Sequence, residues 1–236
     1  MQKIENWLYE DLQETRSTND SVLQFLEKNQ APCIVSAERQ TKGRGRLGRT
    51  WEGKSGNLFV SFAYPVQNMN IGHYVILSGL SVLETIKIFV CNAQVQVKWP
   101  NDVLVEGKKI SGILFEKGPA DYWVMGIGIN VTHTPEVKNP VYPITSLADC
   151  NVYTNRTKVL NILVKQFDFL KKQYETFGFD VLKAAWLDNA YNRGKNILVK
   201  QNGKEIRGIF STIDDDGSLI LETSNGVVKV LAGDIF

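Results

Sequence analysis

Residues 38–52 read Glu38-Arg39-Gln40-Thr41-Lys42-Gly43-Arg44-Gly45-Arg46-Leu47-Gly48-Arg49-Thr50-Trp51-Glu52. Gly43 to Gly48 fits G-x-G-x-x-G, which marks a dinucleotide fold when a strand precedes it, a helix follows directly and an acidic residue lies about 20 positions on. A strand before it is expected, because Cys33-Ile34-Val35-Ser36-Ala37 is apolar and partly β-branched. After it come the turn formers of Thr50-Trp51-Glu52-Gly53-Lys54-Ser55-Gly56 and then the strand-like Asn57-Leu58-Phe59-Val60-Ser61-Phe62. No Asp or Glu stands between Glu52 and Glu84. That context excludes a Rossmann unit, and the missing Gly-Lys-Ser/Thr ending excludes a Walker loop. What remains is a cationic glycine loop. Glycines let backbone come close to a ligand, guanidiniums present charged forks to phosphate or carboxylate, and Trp51 adds a flat face. The combination points to an anion, a nucleotide above all; the plainer alternative is a solvated basic patch.

Outward from this loop, composition sets the bounds. A chain of 236 residues with 43% apolar and 22% charged residues carries a substantial core and fits one large domain or a large and a small one. A net charge of +2 is too slight for a general nucleic-acid binder, so the positive field is local to residues 39–49. Cys33, Cys91 and Cys150 are far apart and His73 and His133 are the two histidines, so neither a zinc site of usual spacing nor a disulfide framework is expected. Without a basic-then-apolar leader or an apolar run near 18 residues, the expectation is a cytoplasmic protein with no membrane partner.

Toward the N-terminus, Leu8 to Thr15 reads as a strand, followed by Ser17-Thr18-Asn19 at the head of a helix carrying Val22, Leu23, Phe25 and Leu26. Ser17 and Thr18 are expected to cap that helix, or to form a polar patch beside its free N–H groups. Toward the C-terminus, a loop around residues 65–70 leads to a helix over about 72–90, with His73 as a surface or capping residue. Alternation through Val95-Gln96-Val97-Lys98-Trp99 makes a strand that ends at Pro100, leaving Asn101-Asp102 in a turn. Lys98, last in that strand, either points into a cleft or faces solvent. A turn at Glu106-Gly107 and strands over 108–116 and 122–131 follow. Gly112, Gly126 and Gly128 suggest a flat ligand against the sheet, or else bulges and close helix packing. Residues 132–148 read as loop, then helices run over about 156–177 and 180–190. From Gly194, short β segments separated by Asn202-Gly203, Asp216-Gly217 and Asn225-Gly226 predict hairpins in a small antiparallel barrel. Asp214-Asp215-Asp216 reads as a solvated turn. The domains are therefore expected at 1–190 and 191–236.

In this order, Ser17-Thr18-Asn19, Gln40 with Gly43-Arg44-Gly45-Arg46-Leu47-Gly48-Arg49 and Trp51, Lys98-Trp99-Pro100-Asn101-Asp102, Lys109-Ile110-Ser111-Gly112-Ile113-Leu114 and Gly126-Ile127-Gly128-Ile129-Asn130 resemble biotin–protein ligase, biotin–[acetyl-CoA-carboxylase] ligase. The resemblance implies an α+β fold: a mixed β-sheet flanked by helices, akin to class II aminoacyl-tRNA synthetases, with an SH3-like barrel after it. It implies that biotin and ATP form biotinyl-5′-AMP, and that the biotinyl group then passes to one lysine of a biotin carboxyl carrier protein domain. Ser17, Thr18, Asn19, Gln40, Gly43 and Arg44 would bind the biotin head, with Gly112, Gly126 and Gly128 leaving room for its rings. Arg44, Arg46 and Arg49 would hold phosphates; Trp51 would pack near the adenine or close the loop, and Asn101 and Asn130 would shape the nucleotide pocket. Lys98 would contact the biotin carboxylate and α-phosphate, and Lys98, Arg46 and Asp102 would be catalytic, Asp102 by deprotonating the acceptor lysine. Mg2+ would arrive with ATP, since no protein motif fixes a metal. Because the ligase pattern begins within the first 20 residues, the resemblance is to the short form without a DNA-binding domain, so no DNA partner is expected; the family admits a homodimer.

Two rivals stand beside this. A lipoate or octanoyl ligase shares the fold and a strand lysine, but the Gly-Arg-Gly-Arg loop with Lys-Trp-Pro-Asn-Asp favours biotin. A small nucleic-acid-binding protein would spread basic residues over one face with exposed aromatics, whereas residues 194–236 are near balance.

Overall fold

Strands apolar on both faces require cover on both sides, and the helices supply it. The structure, a computed structural model, describes residues 2–66, 70–137, 142–201 and 203–235. The elements that position the site are β1 (Gln2–Ile4), β2 (Trp7–Thr15), α1 (Thr18–Asn29), β3 (Cys33–Gln40), β4 (Leu58–Pro65), α2 (Ile71–Phe89), β5 (Val95–Lys98), β6 (Asp102–Val105), β7 (Lys108–Lys117) and β8 (Tyr122–Ile129). Then come α3 (Arg156–Phe177), α4 (Phe179–Asp188), β9 (Asn196–Gln201), β10 (Lys204–Ile213), β11 (Leu219–Thr223), β12 (Gly226–Val230) and β13 (Asp234–Ile235).

The first sheet has eight strands in the order β1-β2-β3-β4-β8-β7-β6-β5. It is mixed: β2 and β3 are parallel, joined through α1, and the other neighbours are antiparallel. Alternation divides its residues. Cys33, Val35, Ala63 and Val124 pack beneath Val22 and Leu26 of α1, while Ile34, Phe62, Met125 and Ile127 face the larger core under α2 and α3. There Phe62 and Phe167 stack at 5.1 Å and Trp7 meets Phe62 edge-on at 5.4 Å. α2 is long and apolar enough to span a membrane by length and composition, yet Tyr74, Ile76, Leu80, Leu83 and Ile86 are buried, which makes it a core helix.

The second sheet is five-stranded and antiparallel, in the order β12-β11-β10-β9-β13. It shares apolar contacts with the first layer; Trp186 of α4 meets Phe210 edge-on at 6.2 Å. Trp99 Nε1 donates to Gly217 O at 3.0 Å across the same seam.

Several expectations need correction. β1, β6 and β13 were not foreseen; β6 makes Asp102 a strand residue, not a turn residue. Ser17 stands at the N-cap of α1 but makes no side-chain cap bond. The side-chain carbonyl of Gln40 does that work, accepting from Thr18 N at 2.8 Å. His73 is not a surface or capping residue, since Asn70 caps α2. It is half-buried, stacked on Phe179 at 3.8 Å, with Nδ1 2.8 Å from Tyr174 Oη and Nε2 2.5 Å from Asp215 O. The aspartate turn is pinned by Lys229 on Asp214 and Asp216 and by Lys183 on Asp215. Of the expected loops and turns, residues 67–69, 138–141 and Asn202 lie outside the described residues.

Candidate active site

The register of β4, β8 and β7 lays out the site. On the α1 face of the sheet, Ala63, Val124 and Glu116 form one cross-strand row, Ser61, Gly126 and Leu114 the next, and Phe59, Gly128 and Gly112 the third. The first row lies beside α1, the second meets its N-terminus, and the third is left open for other groups. Successive rows lie about 7 Å apart.

At the second row, Gly126 makes room for protein: a Cβ there would stand 2.2 Å from Asn19 Oδ1. Asn19 donates to Glu116 Oε2 at 2.7 Å and accepts from Ser61 Oγ at 2.5 Å. Ser61 Oγ is also 2.8 Å from Thr18 Oγ1, which donates to Gln40 Oε1 at 3.1 Å. The result is a cross-linked hydrogen-bonding surface of uncharged side chains backed by the Glu116 carboxylate, with Ser17 4% exposed at its edge.

At the third row sits Trp51. A Cβ on Gly128 would lie 2.4 Å from its Cε2, and one on Gly112 2.9 Å from its Cζ3. The expected occupant of this space is a flat ligand; in this structure Gly112 and Gly128 accommodate the chain's own indole. Trp51 is delivered by the basic loop, which closes as a small hairpin. Trp51 N donates to Gly43 O at 3.0 Å, Gly45 N to Arg49 O at 2.7 Å, and a 3-10 turn spans Arg46–Gly48. Leu47 and Gly48 take φ of +56° and +72° at its tip. Gly43 lies at the hairpin base, where a Cβ would stand 2.4 Å from Trp51 O.

The hairpin's arginines diverge. Arg44 turns back to Asp20, at 3.0 and 2.8 Å, and to Glu116 at 3.0 Å, which holds its pKa above the usual value. Arg46 donates to Asn101 Oδ1 at 3.0 Å and Gly233 O at 3.2 Å, with Asp234 3.8 Å away. Its pKa is lowered because burial outweighs the attraction of Asp234 and Asp102. Arg49 pairs directly with Asp234 and its pKa is raised by that contact.

Beyond Trp51 the lysines part company. Lys109 Nζ is 2.6 Å from Asp102 Oδ1, 5.5 Å from the Trp51 ring and 5.7 Å from the Tyr142 ring. The ion pair lacks hydrogen-bond geometry, and Asp102 Oδ1 has no donor of its own among the described residues. The other oxygen, Oδ2, accepts from Tyr142 Oη. Lys98, which the resemblance assigns to the reacting groups, lines a different cavity from Lys109. It is 7% exposed, with Nζ 3.6 Å from the Tyr142 ring centroid. Burial pushes its pKa down to about 8.

These groups surround one cavity of about 450 Å³, lined by Ser17, Thr18, Asn19, Gln40, Arg44, Arg46, Arg49, Trp51, Asn101, Asp102, Gly112, Gly126, Gly128 and Asn130. Lys109, Glu52, Tyr142 and Asp234 line it too. Gly43 and Lys98 do not; Lys98 lines a smaller cavity of about 140 Å³ with Leu104, Gly107, Tyr142, Tyr191, Asn192 and Ile235. Trp51 Nε1, Glu52 Oε2 and Asn130 Oδ1 are buried at the large cavity without hydrogen-bond partners among the described residues, and Asp102 Oδ1 has only its ion pair with Lys109. Buried polar atoms are ordinarily satisfied, so a cluster of orphans marks where a polar ligand completes the bonding.

Sequence reading missed Lys109, Ser61, Glu116, Tyr142 and Asp234. Strict alternation sets Lys109 and Gly112 on opposite faces. A bulge reverses this: Val103 pairs with Ser111 and Leu104 with Lys109, leaving Ile110 as the extra residue. A Cβ on Gly112 would then meet Lys109 Nζ at 3.2 Å.

A cavity with a neutral hydrogen-bonding end, a ring slot and a cationic end is built for a small acid and a nucleotide. The chain belongs to the biotin/lipoate A/B protein ligase family, whose model matches residues 11–130. That of the biotin protein ligase C terminal domain matches residues 194–236. The chain is 30% identical, over 95% of its length and 98% of the relative's, to the biotin--[acetyl-CoA-carboxylase] ligase of Paracoccus denitrificans. To the bifunctional ligase/repressor BirA of Bacillus subtilis it is 31% identical over 93% of this chain and 71% of the other. Among solved structures, the biotin protein ligase of Aquifex aeolicus in complex with biotin and ATP matches with a TM-score of 0.86 and 28% identity, over 97% of each chain.

Proposed function

We propose that this chain joins biotin to ATP as biotinyl-5′-AMP, releasing pyrophosphate, and passes the biotinyl group to one lysine of a biotin carboxyl carrier protein domain. The observation that carries this is the order of groups along β8, from the neutral set at Gly126, past the ring slot at Gly128, to the cations and Asn130. A biotin lying in that direction puts its ureido ring against Thr18, Asn19 and Gln40, its bicycle beside Trp51 and its carboxylate toward Lys109. Arg46 and Arg49, coming from the hairpin above, meet the phosphates. The lysine we assign to the biotin carboxylate and the α-phosphate is Lys109, not Lys98, because Lys109 lines the cavity.

In the first step a carboxylate oxygen attacks the α-phosphorus and the bond to the pyrophosphate oxygen breaks. Two anions must meet, so the site's task is charge neutralisation and alignment. Mg2+, bound with the nucleotide, would add neutralisation at the phosphates. Asp20, Glu116, Asp102 and Asp234 each face arginine or lysine. In the second step the acceptor amine attacks the acyl carbon, AMP leaves with its oxygen, and we assign the amine proton to Asp102, whose Oδ1 lies beside Lys109 at the cavity. We take residues 1–190 as the domain doing this chemistry and 191–236 as a second domain that supplies Asp234. The three cysteines are free, in keeping with the cytosol.

The test is mass analysis of a biotin carboxyl carrier domain incubated with the protein, ATP, Mg2+ and biotin. One biotinyl group on one lysine is expected; an unmodified carrier, or modification with lipoate in place of biotin, would overturn the reading.

A further inference from the structure

Lys98 and Asp102 are direct partners in the β5–β6 ladder. Side chains so placed sit about 5 Å apart at Cβ, and an opposite-charge pair there normally closes on itself. Here it does not. Asp102 is met by Lys109 on one oxygen and by the Tyr142 hydroxyl on the other, while Lys98 lies against the Tyr142 ring. Tyr142 is the wall shared by the two cavities, so an aromatic spacer stands between the buried cation and the carboxylate. A cation held over a ring face is attracted by the ring's quadrupole and fixes the ring's position.

We propose that Lys98 is a positioning residue for the transfer step: it seats Tyr142, whose hydroxyl holds Asp102 with one oxygen turned toward the acceptor amine. The inference rests on the reading above, in which Asp102 serves the transfer to lysine. Direct pairing of Lys98 with Asp102 would put a second ammonium on a carboxylate that already faces Lys109 at 2.6 Å. Acting through the ring, Lys98 fixes Asp102 while Oδ1 stays on the cavity wall beside Lys109. The cost is a buried ammonium whose charged form the surroundings disfavour, a cost the chain bears at a position where methionine would fill the same space.

The experiment separates the two half-reactions. Biotin-dependent ATP–pyrophosphate exchange reports adenylation, and single-turnover transfer from preformed biotinyl-5′-AMP to a carrier domain reports the second step. Lys98→Met and Tyr142→Phe should each lower the ratio of transfer rate to exchange rate by at least about tenfold, part of what a well-placed proton acceptor contributes. Lys98→Arg, which keeps a cation over the ring, should recover most of that ratio. The double variant should be no worse than the more damaged single, because the two residues act as one unit. An unchanged ratio, losses that multiply in the double variant, no recovery with arginine, or a lower melting temperature in Lys98→Met would each overturn the proposal. A wild-type protein that performs neither half-reaction would sink the broader reading, whereas a competent wild type with an unchanged ratio sinks this inference alone.

Discussion

At Lys98 the balance of stability and function is open to measurement. Burial lowers its pKa from 10.5 to about 8. Between those values the unfolded chain holds a proton that the folded chain has released, so stability rises with pH across that window and the full penalty is present below about 8. Lys98→Met is therefore expected to raise stability by ~1–3 kcal/mol at neutral pH and to flatten the rise toward pH 10, read by urea denaturation at several pH values. A second prediction concerns the ring slot. Gly128→Ala would put a methyl 2.4 Å from the Trp51 indole, displacing the ring and weakening biotin binding by at least about tenfold, the order of one lost packed group. Calorimetric titration with biotin measures it. The sequence made the glycines legible as ring space but not whose ring fills it. It did not single out Lys109, because alternation read through 108–112 cannot register the bulge at Ile110 that turns Lys109 into the cavity.

At the scale of elements, the long periodic ones were readable and the short ones were not. α3 runs over the expected residues because Val159, Leu163, Phe167 and Leu170 keep one buried stripe up to Gly178. β6, Asp102-Val103-Leu104-Val105, is buried throughout and shows no alternation, and β13 has two residues, too few for a period. The cap of α1 was misread for a different reason: Ser17 has the right chemistry, but Gln40, brought alongside by the parallel β2–β3 pair, reaches Thr18 N first. Gln40→Ala should then cost ~1 kcal/mol, the usual worth of a helix cap, and also loosen biotin, since Gln40 lines the cavity. Thermal melts with and without biotin would show a lower midpoint and a smaller biotin-induced rise. An unaltered biotin-induced rise would remove Gln40 from the binding surface.

For the whole molecule, the second sheet completes the site. Asp234, on the final strand, pairs with Arg49 and lies near Arg46, so the basic hairpin is tethered to the far end of the chain. No local pattern reveals a partner 185 residues away. Such partly exposed ion pairs add little to global stability, at most ~1 kcal/mol, but they decide where the hairpin rests. Asp234→Ala should leave the urea midpoint nearly unchanged while speeding trypsin cleavage at Arg46 and Arg49 several-fold, as expected for a segment whose local opening has become easier; equal cleavage rates would mean the tether does not hold the loop.

The central claim, that this cavity activates biotin with ATP through Lys109, is tested most directly by ATP–pyrophosphate exchange in the presence of biotin or lipoate, with Mg2+, comparing wild type and Lys109→Met. Exchange is expected with biotin and not with lipoate, with a fall of at least about a hundredfold in Lys109→Met, the order of one lost charge-stabilising group at a reacting centre. Exchange absent in the folded wild type, or undiminished in Lys109→Met, would contradict the claim.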